Sequence, residues 1–211
     1  SYGSSSQAAY APGTPFCAEY PLSSSIEHYY FLGSDTVAAD RGVDNYKLRL
    51  ESLRNTLNYY TAYSPHYAFS STNLGRSFDS VDMGLFTVPS IIHGSGVKKG
   101  SVSLKYYISG TLQAELLDSR ENGELIQVSG TISSNDGKVA GVILYDEGAI
   151  FLSGAWDLNT GHTEEYLGST SGLLTPKWKY FGSTVHSGEF TTDPISTPSS
   201  SYTLDFKAIE K

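Results

Sequence analysis

Between Val88 and Trp156 the chain reads as short β-forming runs cut by glycine turns, and that pattern restricts it to an antiparallel β fold. LFTVPSII, SVSLKYYIS, TLQAELLD, ELIQVSGTI, KVAGVILYD and GAIFLSGAW are each rich in Val, Ile, Leu, Tyr or Thr. Asn122–Gly123, Asp136–Gly137 and Glu147–Gly148 supply turns in which φ is positive at little cost. Turn signals at such short intervals predict a sandwich or barrel. The expected fold is mainly β: an antiparallel, jelly-roll-like β-sandwich over 85–211, with one short helix and an extended N-terminal arm.

The helix is expected at 44–60, DNYKLRLESLRNTLNYY, where Tyr46, Leu50, Leu53, Leu57 and Tyr60 recur at alternating spacings of four and three. Asp44 suits an N-cap, and Ser64–Pro65 closes the helical stretch. The stripe has two readings: it packs on the sheet, or it forms the interface helix of an oligomeric seam. Residues 1–43 read as arm or linker. The first 25 of them are rich in Ser, Ala, Gly and Pro and are expected to order only against a partner. Residues 44–84 read as helix and loop, one structural unit with the sandwich. Beyond Trp156, PKWKYFGSTV is a candidate strand and SYTLDFKAIE a late strand pairing back into the sheet.

Composition narrows the partners. The net charge is −8, and Lys98–Lys99 is the only adjacent basic pair, so a phosphate-neutralising surface is missing and nucleic-acid binding is not expected. Only 17% of residues are charged while Ser, Gly and Tyr abound, a balance found in extracellular, lectin-like and virion proteins. One cysteine, Cys17, precludes an intrachain disulfide. No apolar run is long enough for membrane insertion. The chain begins without Met and its first residues lack a leader's basic and apolar regions, so it reads as a processed product or a piece of a longer chain.

No motif for chemistry is complete. His28, His66, His93, His162 and His186 are scattered and show no metal-ligand spacing. His93-Gly94-Ser95-Gly96 misses the Gly-x-Ser-x-Gly spacing of a nucleophile elbow and precedes a strand instead of a helix. The stretch from Asp118 starts like a calcium loop, but Arg120 takes an oxygen-donor position and Ser129 stands where Glu is required. Asp79, Asp82, Asp146 and Glu147 remain as scattered oxygen donors. Glu164–Glu165, Asp146–Glu147 and Asp157 are the carboxylates to watch for glycoside hydrolysis, which needs two facing across a cleft. Trp156, Trp178 and Tyr166 are the candidate glycan-stacking or interface aromatics. No cofactor, metal site or catalytic residue is expected.

One resemblance emerges. FTVPSIIHGSGVKKGSVSLKYYISGTL, NGELIQV and VAGVILYDEGAIFLSGAW resemble virion structural proteins of tailed phages. There a pattern IPS(I/L)-x-x-G-S-x-(I/V)-K-x-GS(V/F) precedes an acidic glycine turn and then VG-x-(I/V)-(F/L)-Y-x-x-G. The elements fall at Val88–Val102, Asp118–Leu125 and Val139–Gly148, and the likeness spans roughly 48–181. His93 departs from it, standing where the pattern carries an aromatic residue. The resemblance implies a non-enzymatic β module of a baseplate, tail fibre or other virion part, located in the virion. Its implied partners are copies of itself and other virion proteins. The alternative is a carbohydrate-binding module that recognises a host-surface glycan.

Overall fold

The computed structural model describes residues 25–34, 46–167, 172–185 and 198–209. It is mainly β and antiparallel, as expected. In chain order the elements are β1 (Glu27–Phe31), α1 (Tyr46–Ser52), α2 (Arg54–Tyr59), β2 (Ser70–Ser71), β3 (Arg76–Ser77), β4 (Met83–Thr87), α3 (Ser90–His93), β5 (Ser103–Ile108), β6 (Thr111–Leu117), β7 (Glu124–Gly130), β8 (Val139–Leu144), β9 (Ala149–Leu152) and β10 (Ser200–Asp205). Eight strands form one sheet, ordered β1-β4-β9-β8-β7-β6-β5-β10, and β2–β3 is a separate small hairpin.

β5 to β9 is a meander whose turns hold the anticipated glycines: Gly123, Gly137 and Gly148 all take positive φ. Three successive pairings, β5–β6, β6–β7 and β7–β8, each carry a bulge. The unpaired residue is Gln113 on β6, Val128 on β7 and Ala140 on β8. A bulge bends its strand and increases local twist, and these three lie on adjacent strands of the curled sheet. β4 and β5 stand five places apart in the strand order, about 24 Å in a flat sheet at ordinary strand spacing. Yet Phe181 lies 5.6 Å from the Phe86 ring on β4 and 6.3 Å from Tyr106 on β5.

The segment carrying Phe181 fills the mouth of this curl. Tyr180 meets Tyr30 of edge strand β1 at 6.1 Å, while Phe181 meets Tyr202 of the opposite edge strand at 4.8 Å. Both edge strands thus meet one crossing segment through their aromatic side chains. The concave side encloses Val102, Leu104, Tyr106, Leu116, Leu125, Ile143, Ile150, Leu152 and Trp178. The other side holds Phe31, Leu50, Leu57, Tyr67, Phe69, Phe78, Met83, Leu85, Val142, Leu144 and Phe151. Because β8 and β9 are covered on both faces, VAGVIL and AIFL read as continuous apolar runs, with little alternation.

Three sequence expectations are corrected. The single helix 44–60 is two short helices broken at Leu53, whose N–H reaches back only three residues to Leu50 (3.2 Å); Asp44 lies outside the described residues. Ile91 and Ile92, assigned to a strand, sit on α3, since Pro89 turns the chain directly after β4. PKWKYFGSTV is no sheet strand: Trp178–Tyr180 is a 3-10 turn that drives Trp178 and Phe181 into the core. The arm expected over 1–43 contributes β1, its apolar Phe31 anchoring it to the core. Residues 1–24 lie outside the described residues.

Candidate functional site: a groove beside Trp156

The sequence-selected aromatics have different fates. Trp178 and Tyr166 are fully buried. Tyr166 shares a hydrogen bond with the Tyr106 hydroxyl (2.9 Å) and stacks on Tyr180 at 4.3 Å. Neither ring has a face left for a sugar. Trp156 is half-buried and lines an open groove. Its indole is fixed by Gln127, a buried side chain two residues after the core residue Leu125 on β7. Gln127 Oε1 accepts from Trp156 Nε1 (2.9 Å) and from Trp178 Nε1 (3.0 Å), while its Nε2 donates to Asp136 (3.0 Å).

The interface-helix residues face inward. Leu50 and Leu57 have no exposed surface, and Leu53 and Tyr60 pack on the same cluster. The stripe therefore belongs to the protein's own core and does not present an oligomeric seam. Tyr46 lies on α1, but its side chain is outside the described residues.

The three segments that carry the phage resemblance converge. Asp118 Oδ2 accepts from the Gly100 N–H (2.8 Å) and from the Tyr145 hydroxyl (2.5 Å). Val97 N–H donates to the Tyr145 carbonyl (2.9 Å), and Val88 N–H to that of Gly148 (2.8 Å). Tyr67 donates to the Ile143 carbonyl (2.6 Å) and fills the space where Gly123 would carry a Cβ. His93 is buried, its ring against Gly148. Burial pushes the Asp118 carboxyl above the usual range, even though the Tyr145 and Gly100 bonds favour its charged form. The junction is built of buried bonds.

The groove encloses about 490 Å³, within the span of small-molecule sites. Leu74–Arg76 from the β2–β3 hairpin, Ser80–Asp82, Ser153–Trp156 after β9, and Lys179 form its walls. Lys179 Nζ bonds Asp82 (2.8 Å), whose other oxygen accepts from the Gly33 N–H (2.9 Å). Burial opposes charge on both partners. The Gly33 and Lys179 bonds nevertheless hold the Asp82 carboxyl below its usual range, and Asp82 with Tyr180 lifts the Lys179 ammonium. Arg76 differs. Its guanidinium lies over Phe78 (4.4 Å) and donates to Ser153 Oγ (3.1 Å) and to the His66 carbonyl, but meets no carboxylate among the described residues. Its Nε has no acceptor among the described residues, and burial lowers its pKa to about 10.

Sequence reading missed Arg76 and Gln127. Arg76 sits within 44–84, read as helix and loop, and only the flanking Phe69 and Phe78 hinted that the loop folds inward. The other candidates disperse. Asp79 pairs with Arg54, Asp82 with Lys179, and Asp157 with Lys177. Glu164 is bound by Ser199, Ser200 and His162. The groove contains one carboxylate, Asp82, already in an ion pair. A smaller cavity of about 220 Å³ is lined by Tyr60, Tyr63, Tyr67 and Tyr145 with Lys99, Glu121, Asn122 and Asp146. No family model, curated protein or solved structure matches the chain.

Proposed function

We propose that the chain is a non-enzymatic structural protein of a tailed-phage virion, one that associates with copies of itself and with neighbouring virion subunits. The carrying observation is the convergence of 88–102, 118–125 and 139–148 on one buried junction. The segments that give the resemblance do structural work on each other through buried hydrogen bonds. Two apolar surface features suit contacts with neighbours. Tyr59 and Tyr63, 75% and 62% exposed, flank Tyr60. Ile91 and Ile92 of α3 lie near Ile209, which bridges to Gly94. Exposed aromatic and aliphatic groups of this kind are what subunit interfaces cover.

Light scattering across a concentration series tests the reading. A mass at a fixed multiple of 22.8 kDa is expected. The mass of one chain at every concentration would contradict self-association. The second reading, a glycan-binding module, is favoured by Trp156 alone, since Trp178 and Tyr166 are buried.

A further inference from the structure

The groove beside Trp156 contains a charge, on Arg76, that no carboxylate among the described residues balances. A guanidinium removed from water is costly unless it is paired, and Arg76 finds only a hydroxyl, a backbone carbonyl and an aromatic face. These three contacts hold it in one orientation, with hydrogen-bonding capacity unspent. Across the groove, Lys179 and Asp82 cancel each other. His66, also on the wall, is held toward its neutral form, chiefly by burial. Two cations against one carboxylate leave the groove net positive in a molecule of net charge −8.

We infer that this groove is a binding site for an acidic sugar, with Arg76 receiving a carboxylate or sulfate oxyanion and the Trp156 ring stacking on a pyranose face. Each half of the assignment has its own ground. Nη1 and Nη2 each keep one N–H beyond those given to Ser153 and His66, and charged donors of this kind suit an oxyanion. An indole held by Gln127 costs little entropy on stacking, because Gln127 already fixes the ring. The overall −8 charge repels long polyanions and acidic chains, so a small ligand bearing one acidic group suits the site better than nucleic acid or an acidic protein segment. The inference goes beyond assembly, and the two are separable: a self-associating chain that binds no acidic sugar and a monomer that binds one are distinct results.

Titration calorimetry of the full chain tests it with four probes: a glucuronate-containing disaccharide, a sulfated disaccharide, a neutral disaccharide of the same size and a glutamate-rich peptide. Saturable binding of at least one acidic sugar is expected, with the better of the two identifying the oxyanion, and none of the neutral sugar. Arg76→Met and Trp156→Ala should each weaken that binding tenfold or more. Should Arg76→Met fail to fold, Arg76→Lys keeps the charge but loses the two-pronged geometry, and with Trp156→Ala it carries the test. Equal binding of the neutral sugar, binding of the peptide alone, no binding at all, or affinity unchanged in the variants would each overturn the assignment.

Discussion

At the scale of single residues, the turn glycines separate two kinds of requirement. Gly137 and Gly148 both have positive φ, but a Cβ on Gly137 would meet open space. On Gly148 it would lie 2.6 Å from the Val88 carbonyl oxygen and 2.7 Å from the His93 ring. Gly137→Ala is therefore expected to cost about 1 kcal/mol, from backbone strain alone. Gly148→Ala should cost about 2–3 kcal/mol, because the junction must shift as well. Urea unfolding of the two variants checks the order, and equal losses would mean the contact at Gly148 is unimportant. The positive φ itself was legible, since Asn122–Gly123, Asp136–Gly137 and Glu147–Gly148 are local signals. The crowding around Gly148 was not, because Val88 and His93 arrive from the crossover between β4 and β5. Arg76 and Gln127 escaped notice for the same reason: each acquires its role from segments distant in sequence.

At the scale of elements, the helix stripe does mark one face, and its destination is the sheet. Leu57→Ala should destabilise the fold by about 2–5 kcal/mol, the usual cost of emptying a buried leucine site. The mass seen by light scattering should not change. Tyr59→Ser, at an exposed position of the same helix, should leave stability within about 0.5 kcal/mol. A changed oligomeric mass for Leu57→Ala with unaltered stability would restore the seam. The break at Leu53 was hidden because periodicity reports the face of a helix, not its continuity. β1 was hidden in the stretch 1–43 read as arm or linker, and only five residues, EHYYF, form it.

β1 also carries the clearest pH signal. His28 stacks on Phe86 at 4.3 Å, and burial lowers its pKa from 6.5 to about 4. The unfolded chain binds a proton between those values that the folded chain refuses. The contribution of neutral His28 is thus complete above pH 6.5 and is lost as pH falls toward 4. His28→Phe keeps a ring on Phe86 and removes the titration. Urea midpoints measured from pH 7 to 4 should fall more steeply for the native chain than for this variant, and parallel curves would place the acid sensitivity elsewhere.

At the scale of the whole molecule, the strand runs specified an antiparallel β protein, but not the curl. Three bulges on successive strands bend the sheet, and the crossing segment around Trp178–Phe181 occupies its mouth. Aromatic content announced that a large core was available, but it did not announce which aromatics would remain outside. Trp178 and Tyr166 went inside because the sheet needed filling where its edges approach. Trp156, one turn of chain after β9, stayed at the rim. The Tyr59–Tyr63 face and the neighbourhood of Ile91, Ile92 and Ile209 stay exposed and apolar. These surfaces are products of the fold and could not be singled out from the sequence, where Tyr59 and Tyr63 lie off the helix stripe, Ile91 and Ile92 read as strand and Ile209 as part of a C-terminal run.

Cryo-electron microscopy of the assembled protein tests the proposed structural role most directly. Subunit contacts are expected to cover Tyr59 with Tyr63, or Ile91 with Ile92 and Ile209, while the Asp118–Tyr145 junction stays intact inside each subunit. Particles in which both patches face solvent, or in which the junction opens to form a site, would contradict it.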